Sequence, residues 1–150
     1  MMGTMVEISP LTGSDRAEWE ALARAFKAHF GTEASDEAYE QTWRRLLDGG
    51  QIHGIAARLD GTMAGIAHYF FHTSVWSADK CYLADLFVDP RVRRQGVATE
   101  MIEWVAKDAA EHGATPLHWH TTQDNATARA LYDKVASFKG LITYTRACPA

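Results

Sequence analysis

Apolar residues along the chain follow two periods, and the points where the period changes divide it into elements. A short alternating run at residues 6–8 predicts a first strand. Ser14 reads as an N-cap with Asp15 in the first turn, and after it Trp19, Leu22, Ala23, Phe26 and Phe30 recur at helical spacing. A second helix is expected from about Ser35, with Tyr39, Trp43, Leu46 and Leu47 on one face and its end at Gly49-Gly50. Alternation then takes over. Residues 52–59, a turn at Asp60-Gly61 and residues 64–75 predict a hairpin, because Asp-Gly supplies the positive φ of a tight turn. Residues 81–88 are nearly all apolar, as in a strand buried on both faces. Residues 97–111 predict a helix with Val97, Met101, Trp104, Val105 and Ala109 inward, and residues 117–121 a strand. Residues 125–135 predict a helix with Ala128, Leu131, Tyr132 and Val135 on one face, and residues 141–146 a closing strand. The order β-α-α-β-β-β-α-β-α-β is that of a mixed α/β sandwich.

Composition narrows the class of function. A chain of 150 residues with no internal repeat, low-complexity tract or linker is expected to form a single domain over 1–150. A net charge of -4 without a concentrated basic patch argues against a nucleic-acid partner. No apolar run approaches the ~20 residues that cross a bilayer, and no secretory signal is visible, so a cytoplasmic protein without a membrane partner is expected. Asn125-Ala126-Thr127 matches a glycosylation pattern, which is read as chance in that setting. Cys81 and Cys148 share no metal-ligand spacing, and no metal site is expected.

The most informative segment runs from the apolar strand through Leu86, Phe87, Val88, Asp89 and Pro90 into Arg91-Val92-Arg93-Arg94-Gln95-Gly96-Val97-Ala98. A strand thus breaks at Pro90 and passes through a turn of small residues into a helix. The first amides of a helix are unpaired and lie at the positive end of its dipole, which makes an anion site. Gly96 and Ala98 keep side chains away from that site, Arg93 and Arg94 add charge to it, and a pyrophosphate is the expected guest. The segment is neither a Walker loop nor a dinucleotide fingerprint, since it lacks the Gly-Lys-Ser/Thr of the one and the repeated glycines of the other.

Arg93-Arg94-Gln95-Gly96-Val97-Ala98, preceded by Val88-Asp89-Pro90, resembles the Arg/Gln-x-x-Gly-x-Gly/Ala pattern of the GNAT superfamily of N-acetyltransferases. Downstream, Asn125-Ala126-Thr127-Ala128-Arg129-Ala130-Leu131-Tyr132 resembles the Asn-x-x-Ala-x-x-Leu/Phe-Tyr helix of the same superfamily. The two motifs stand in order, with a helix and a strand between them. Residues 82–88 and 130–135 look most similar to the diamine, polyamine and histone-type branches. The resemblance implies a mixed, mostly antiparallel sheet with helices on both faces and a splayed central strand pair. It also implies acetyl-CoA as cosubstrate, held by residues 93–98, with its pantetheine arm along Leu86, Phe87 and Val88. A backbone N–H near Val88 would stabilise the oxyanion.

Acetyl transfer also needs an acid for the leaving thiolate and an acceptor for the proton of the amine. The resemblance favours Tyr132 as the acid over a core tyrosine, since a phenol can protonate a departing thiolate. Asn125 either caps its helix or bonds the pantetheine amide, or does both. Asp85 stands in an otherwise apolar strand, where an unpaired carboxylate is costly. It binds the amine, takes its proton through water, or pairs with a structural partner. Relatives of the polyamine branch carry a glutamate at the position of Ala84, a role this chain does not inherit. His68, His72, His118 and His120 are the rival bases. Glu33, Asp36, Glu37 and Glu40 either make an acidic mouth for amines or complement the dipole of the second helix. The expected acceptor is a small-molecule amine or a lysine-bearing substrate. A catalytically inactive module that senses acyl-CoA is the alternative, and an exposed last strand suggests pairing with a second subunit.

Overall fold

A computed structural model describes residues 5–93 and 95–150. The chain divides into two compact units, 1–120 and 121–150. The first holds β1 (Val6–Pro10), α1 (Arg16–His29), α2 (Asp36–Leu47), β2 (Ile52–Leu59), β3 (Thr62–His72), β4 (Lys80–Val88), α3 (Val97–Glu111) and β5 (Leu117–His118). The second holds α4 (Ala126–Val135).

Local signals explain most boundaries. Ser35 caps α2 by accepting from the Ala38 N–H at 3.1 Å, and Gly49 follows its end with φ +73. Asp60 and Gly61 take φ +52 and +81 between β2 and β3, the conformation of a tight hairpin turn. Ser14 does not begin α1. It lies in a 3-10 turn, Gly13–Asp15, and α1 starts at Arg16. Asp15 is buried, where its carboxylate accepts the Thr12 N–H at 2.8 Å and pairs with Arg58. That carboxylate ties the turn to β2 and is not available to the helix.

The five strands lie in chain order in one sheet, antiparallel from β1 to β4, with β5 parallel to β4. α1 and α2 cover one face, where Leu11, Trp19, Leu22, Tyr39, Trp43, Leu46, Ile66 and Phe87 form a core. α3 covers the other with Val97, Met101, Ile102, Val105 and Ala109 buried; Ile102 takes the place expected of Trp104, which is half-buried. This packing needs a glycine at Gly65, where a Cβ would stand 2.8 Å from Met101 Cε and 3.1 Å from the Phe87 carbonyl.

The register of β3 and β4 decides where Asp85 points. His68 pairs with Asp85 but Tyr69 pairs with Leu83, so Ala84 is an extra, exposed residue in a bulge. In an unbroken strand Asp85 would share a face with Cys81 and Leu83, which are buried on the α3 side. The bulge shifts the alternation by one. Asp85 moves to the α1–α2 face, in line with Phe87, and Tyr82, three residues earlier, reaches that face too.

Two expected strands are shortened or missing. The strand expected at 117–121 is Leu117–His118 only. Residues 141–146 form no strand; Leu141, Ile142 and Tyr144 are 81%, 75% and 88% exposed. Adjacent Leu141 and Ile142 give the segment no single apolar face, and alternation cannot supply the neighbour that a ladder requires. The expected pairing through a last strand therefore has no formed strand to begin from among the described residues.

Candidate active site

β4 and β5 run side by side only at Cys81–Leu117 and Tyr82–His118. These pairs use the whole of β5, and among the described residues the rest of that edge of β4 has no strand partner, in keeping with the splay that the resemblance implies. At the far end the Asp89 N–H donates to the Ala64 carbonyl on β3 at 2.8 Å. Alternation along the strand then turns the Val88 N–H to the opposite edge, the one β5 leaves open. An amide aimed there is suited to an oxyanion. Leu86 and Val88 are half-buried beside it, whereas the Phe87 ring packs in the core 5.8 Å from Phe26 and leaves only its backbone at that edge.

The turn after β4 is fixed by its own residues. Asp89 accepts the Arg91 N–H at 2.9 Å, and the Arg91 guanidinium lies 2.7 Å from the same carboxylate, holding it below the usual carboxylate range. Arg91 is thereby committed to the turn, and Arg93 is left exposed beyond it. Arg94 lies outside the described residues. Gly96 precedes α3 at φ +78, a conformation costly for any residue with a Cβ, yet a Cβ there would meet nothing within 4 Å. Backbone shape, not crowding, requires the glycine, and the space beside it is open. Among the described residues no side chain caps α3, so its first amides lie without a side-chain partner at the positive end of the dipole. Val97 is buried and anchors the helix, while Gln95 and Gly96 are exposed and Ala98 half-buried.

His68 and His72 of β3, Tyr82 and Asp85 of β4 and His118 of β5 share the α1–α2 face. His68 Nε2 accepts from Trp19 Nε1–H at 2.9 Å, and its Nδ1 lies 2.8 Å from Asp85 Oδ2. The Asp85 side chain is 39% exposed and that of His68 13%. Further along, His72 Nε2 and His118 Nε2 are 3.0 Å apart, and the Tyr82 hydroxyl is 3.2 Å from His120 Nδ1. Two imidazole nitrogens bonded to each other require one to be unprotonated. Burial, with His72 and His120 nearby, holds the His118 pKa below the usual imidazole value. Among the described residues no three His, Cys, Asp or Glu side chains converge as metal ligands.

Of the acids around the start of α2, Asp36 and Glu40 are paired. Arg16 binds Glu40 at 2.6 Å, Arg24 binds Asp36 at 2.7 Å, and Glu20 bridges both arginines. These bonds tie α1 to α2, which favours a structural role over an acidic mouth. In the second unit, Asn125 Oδ1 accepts the Ala128 N–H at 3.3 Å and Nδ2 donates to Thr121 Oγ1 at 3.4 Å, so Asn125 caps α4. Ala128, Leu131, Tyr132 and Val135 form a half-buried face of α4, and burial raises the Tyr132 phenol above its usual value.

The profile of the acetyltransferase (GNAT) family matches residues 17–138. The chain belongs to the GNAT acetyltransferase family. Among its relatives, the D-amino-acid N-acetyltransferase HPA3 of Saccharomyces cerevisiae is 29% identical over 97% of this chain and 93% of its own. The thialysine N-epsilon-acetyltransferase of Caenorhabditis elegans is 29% identical over 61% of this chain and 58% of its own. The aminoglycoside N-acetyltransferase AAC(6')-Iy in complex with CoA shares the fold with a TM-score of 0.83 at 20% identity, covering 98% of both chains. A GNAT N-acetyltransferase draws its acetyl group from acetyl-CoA, and the open turn at Gly96, the uncapped helix and the splay suit that cosubstrate. The bond from Trp19 to His68 was not anticipated from sequence. No local pattern marks it, since the two residues are 49 apart in sequence.

Proposed function

We propose that the enzyme transfers acetyl from acetyl-CoA directly to a primary amine, on a polyamine, another small amine or a lysine side chain. Residues 1–150 act as a single N-acetyltransferase domain in this reading, and the enzyme works in the cytoplasm away from nucleic acid and membrane. The observation that carries it is Asp85, a carboxylate in an apolar strand that a bulge turns to a half-exposed polar face beside the splay. An alkylammonium must be held and deprotonated before it can attack. Asp85 holds it, and the proton leaves to the carboxylate or through it to water. The amine nitrogen adds to the acetyl carbonyl, and the Val88 N–H receives the oxyanion. The carbon–sulfur bond then breaks and the thiolate takes its proton from Tyr132. A phenol raised by burial stays protonated at neutral pH, which supports that assignment. The α3 N-terminus, with Arg93 and Arg94, takes the pyrophosphate, and Asn125 and Ala128 flank the arm. Relatives named for D-amino acids and thialysine act on amines, which supports an amine acceptor.

Coenzyme A release from acetyl-CoA across a panel of primary amines is the test. Turnover on at least one amine is expected. Tight binding of acetyl-CoA with no release on any amine would leave the acyl-CoA sensor instead.

A further inference from the structure

We propose that Trp19 and His68 are positioning residues that hold Asp85 toward the acceptor ammonium with a neutral imidazole, not an imidazolium, beside it, an inference that rests on Asp85 being the amine-binding carboxylate. An indole N–H donates and accepts nothing. Trp19 is 1% exposed, and its Nε1–H meets His68 Nε2 at 2.9 Å, so that nitrogen carries a lone pair. The ring proton therefore sits on Nδ1 and is donated to Asp85 Oδ2 at 2.8 Å. A doubly protonated His68 would set one N–H against another.

The surroundings hold this arrangement in place. The indole is backed by Trp43 and Tyr39 of α2, with ring centroids 5.0 and 6.4 Å away. On β2, Gly54 pairs with His68, and a Cβ there would be in ordinary contact with His68 Cδ2 at 3.5 Å. The groups around His68 are thus Trp19 from α1, Tyr39 and Trp43 behind it from α2, Gly54 from β2 and Asp85 from β4. Asp85 is the charged one among them. Two consequences follow for the chemistry. His68 is not the proton acceptor, because its single lone pair is held by Trp19. Nor is Asp85 neutralised by an imidazolium, so its charge is left for the substrate.

Trp19→Phe removes the donor and keeps an aromatic ring. The His68 Nε2 lone pair is then no longer held by a donor, and a second proton can bind there. The amine KM of Trp19→Phe should rise by about tenfold more than that of the wild type between pH 8 and pH 6. The KM for acetyl-CoA should stay close to wild type. Nitrogen-15 NMR of the wild-type His68 ring should show the neutral Nδ1–H tautomer throughout that range. A Nε2–H tautomer, a doubly protonated ring at pH 6, or matching pH profiles for variant and wild type would each overturn the relay. If Trp19→Phe does not fold, His68→Asn, which keeps a donor at the Nδ1 position, is compared with His68→Leu. The Asn variant should hold the amine KM near wild type and the Leu variant should raise it about tenfold; equal values would overturn the relay. Asp85→Asn separates the two levels. A raised amine KM there, with an unchanged Trp19→Phe profile, removes the relay and leaves the amine-binding role of Asp85. A wild-type amine KM in Asp85→Asn removes that role and the relay with it.

Discussion

Two side chains in the proposed reaction have opposite demands on their protons. Asp85 must be ionised to hold an ammonium, and it is half-exposed with an imidazole N–H donating to it. Tyr132 must be protonated until the thiolate leaves, and burial favours its neutral form. Asp85→Asn should raise the amine KM by about tenfold, the scale of one charge-assisted hydrogen bond, and leave the KM for acetyl-CoA alone. A variant that melts earlier but keeps normal kinetics would make Asp85 structural and turn attention to His118 and His120. Tyr132→Phe should lower kcat by ~10²–10⁴-fold, the range of general acid catalysis. It should hardly change donor affinity, and the alkaline limb of the pH profile should disappear. Near wild-type kcat on a verified substrate would assign that proton to water.

Elements differ in how much of them can be read from the chain alone. α3 begins at Val97 and ends at Glu111 as its apolar period predicts, and β2 spans the expected residues 52–59. Both rest on local signals: a period, a cap, a glycine. The Ala84 bulge does not, because it exists only in the register of β4 against β3, and nothing in the apolar run 81–88 marks it. The residue type at Asp85 was legible as chemistry, but the face it occupies was not. The same limit hid the bond between Trp19 and His68, 49 residues apart. It also hid the fate of residues 141–146, whose apolar residues found no ladder. Where the signal is local, substitutions should act locally. Gly96→Val forces a β-branched residue to φ +78 and fills the space beside the first amides of α3. Acetyl-CoA should then fail to raise the melting temperature, although the fold persists because a Cβ there meets no neighbour. Undiminished stabilisation by acetyl-CoA would remove this turn from the cofactor site.

For the whole molecule, His53, His118, Cys81 and Tyr69 contribute to how stability depends on pH. Burial is the main cause that lowers the pKa of His53 and of His118 below the usual 6.5, although Asp108 partly offsets it at His53. Their folded forms therefore give up protons that the unfolded chain keeps. Between each lowered folded pKa and 6.5 the unfolded state binds more protons, so stability falls as pH drops through that window. On the alkaline side, burial pushes the Cys81 thiol from 9.0 up to about 11, and Tyr69, buried and donating to Asp108 at 2.6 Å, is raised as well. Here the folded state keeps protons that the unfolded chain releases, so the contribution of Cys81 is present below pH 9 and lost as pH rises toward about 11. The two slopes bracket a plateau, and both belong to the first unit. Urea unfolding measured from pH 5 to pH 10.5 should show maximum stability between roughly pH 7 and pH 9, falling on either side. Cys81→Ala removes a titrating group, so it should lower the plateau through the lost packing and flatten the alkaline slope. His53→Phe should flatten the acid slope in the same way, since a phenyl ring has no proton to take up. An alkaline slope unchanged in Cys81→Ala would place the titration elsewhere and refute the assignment to the thiol.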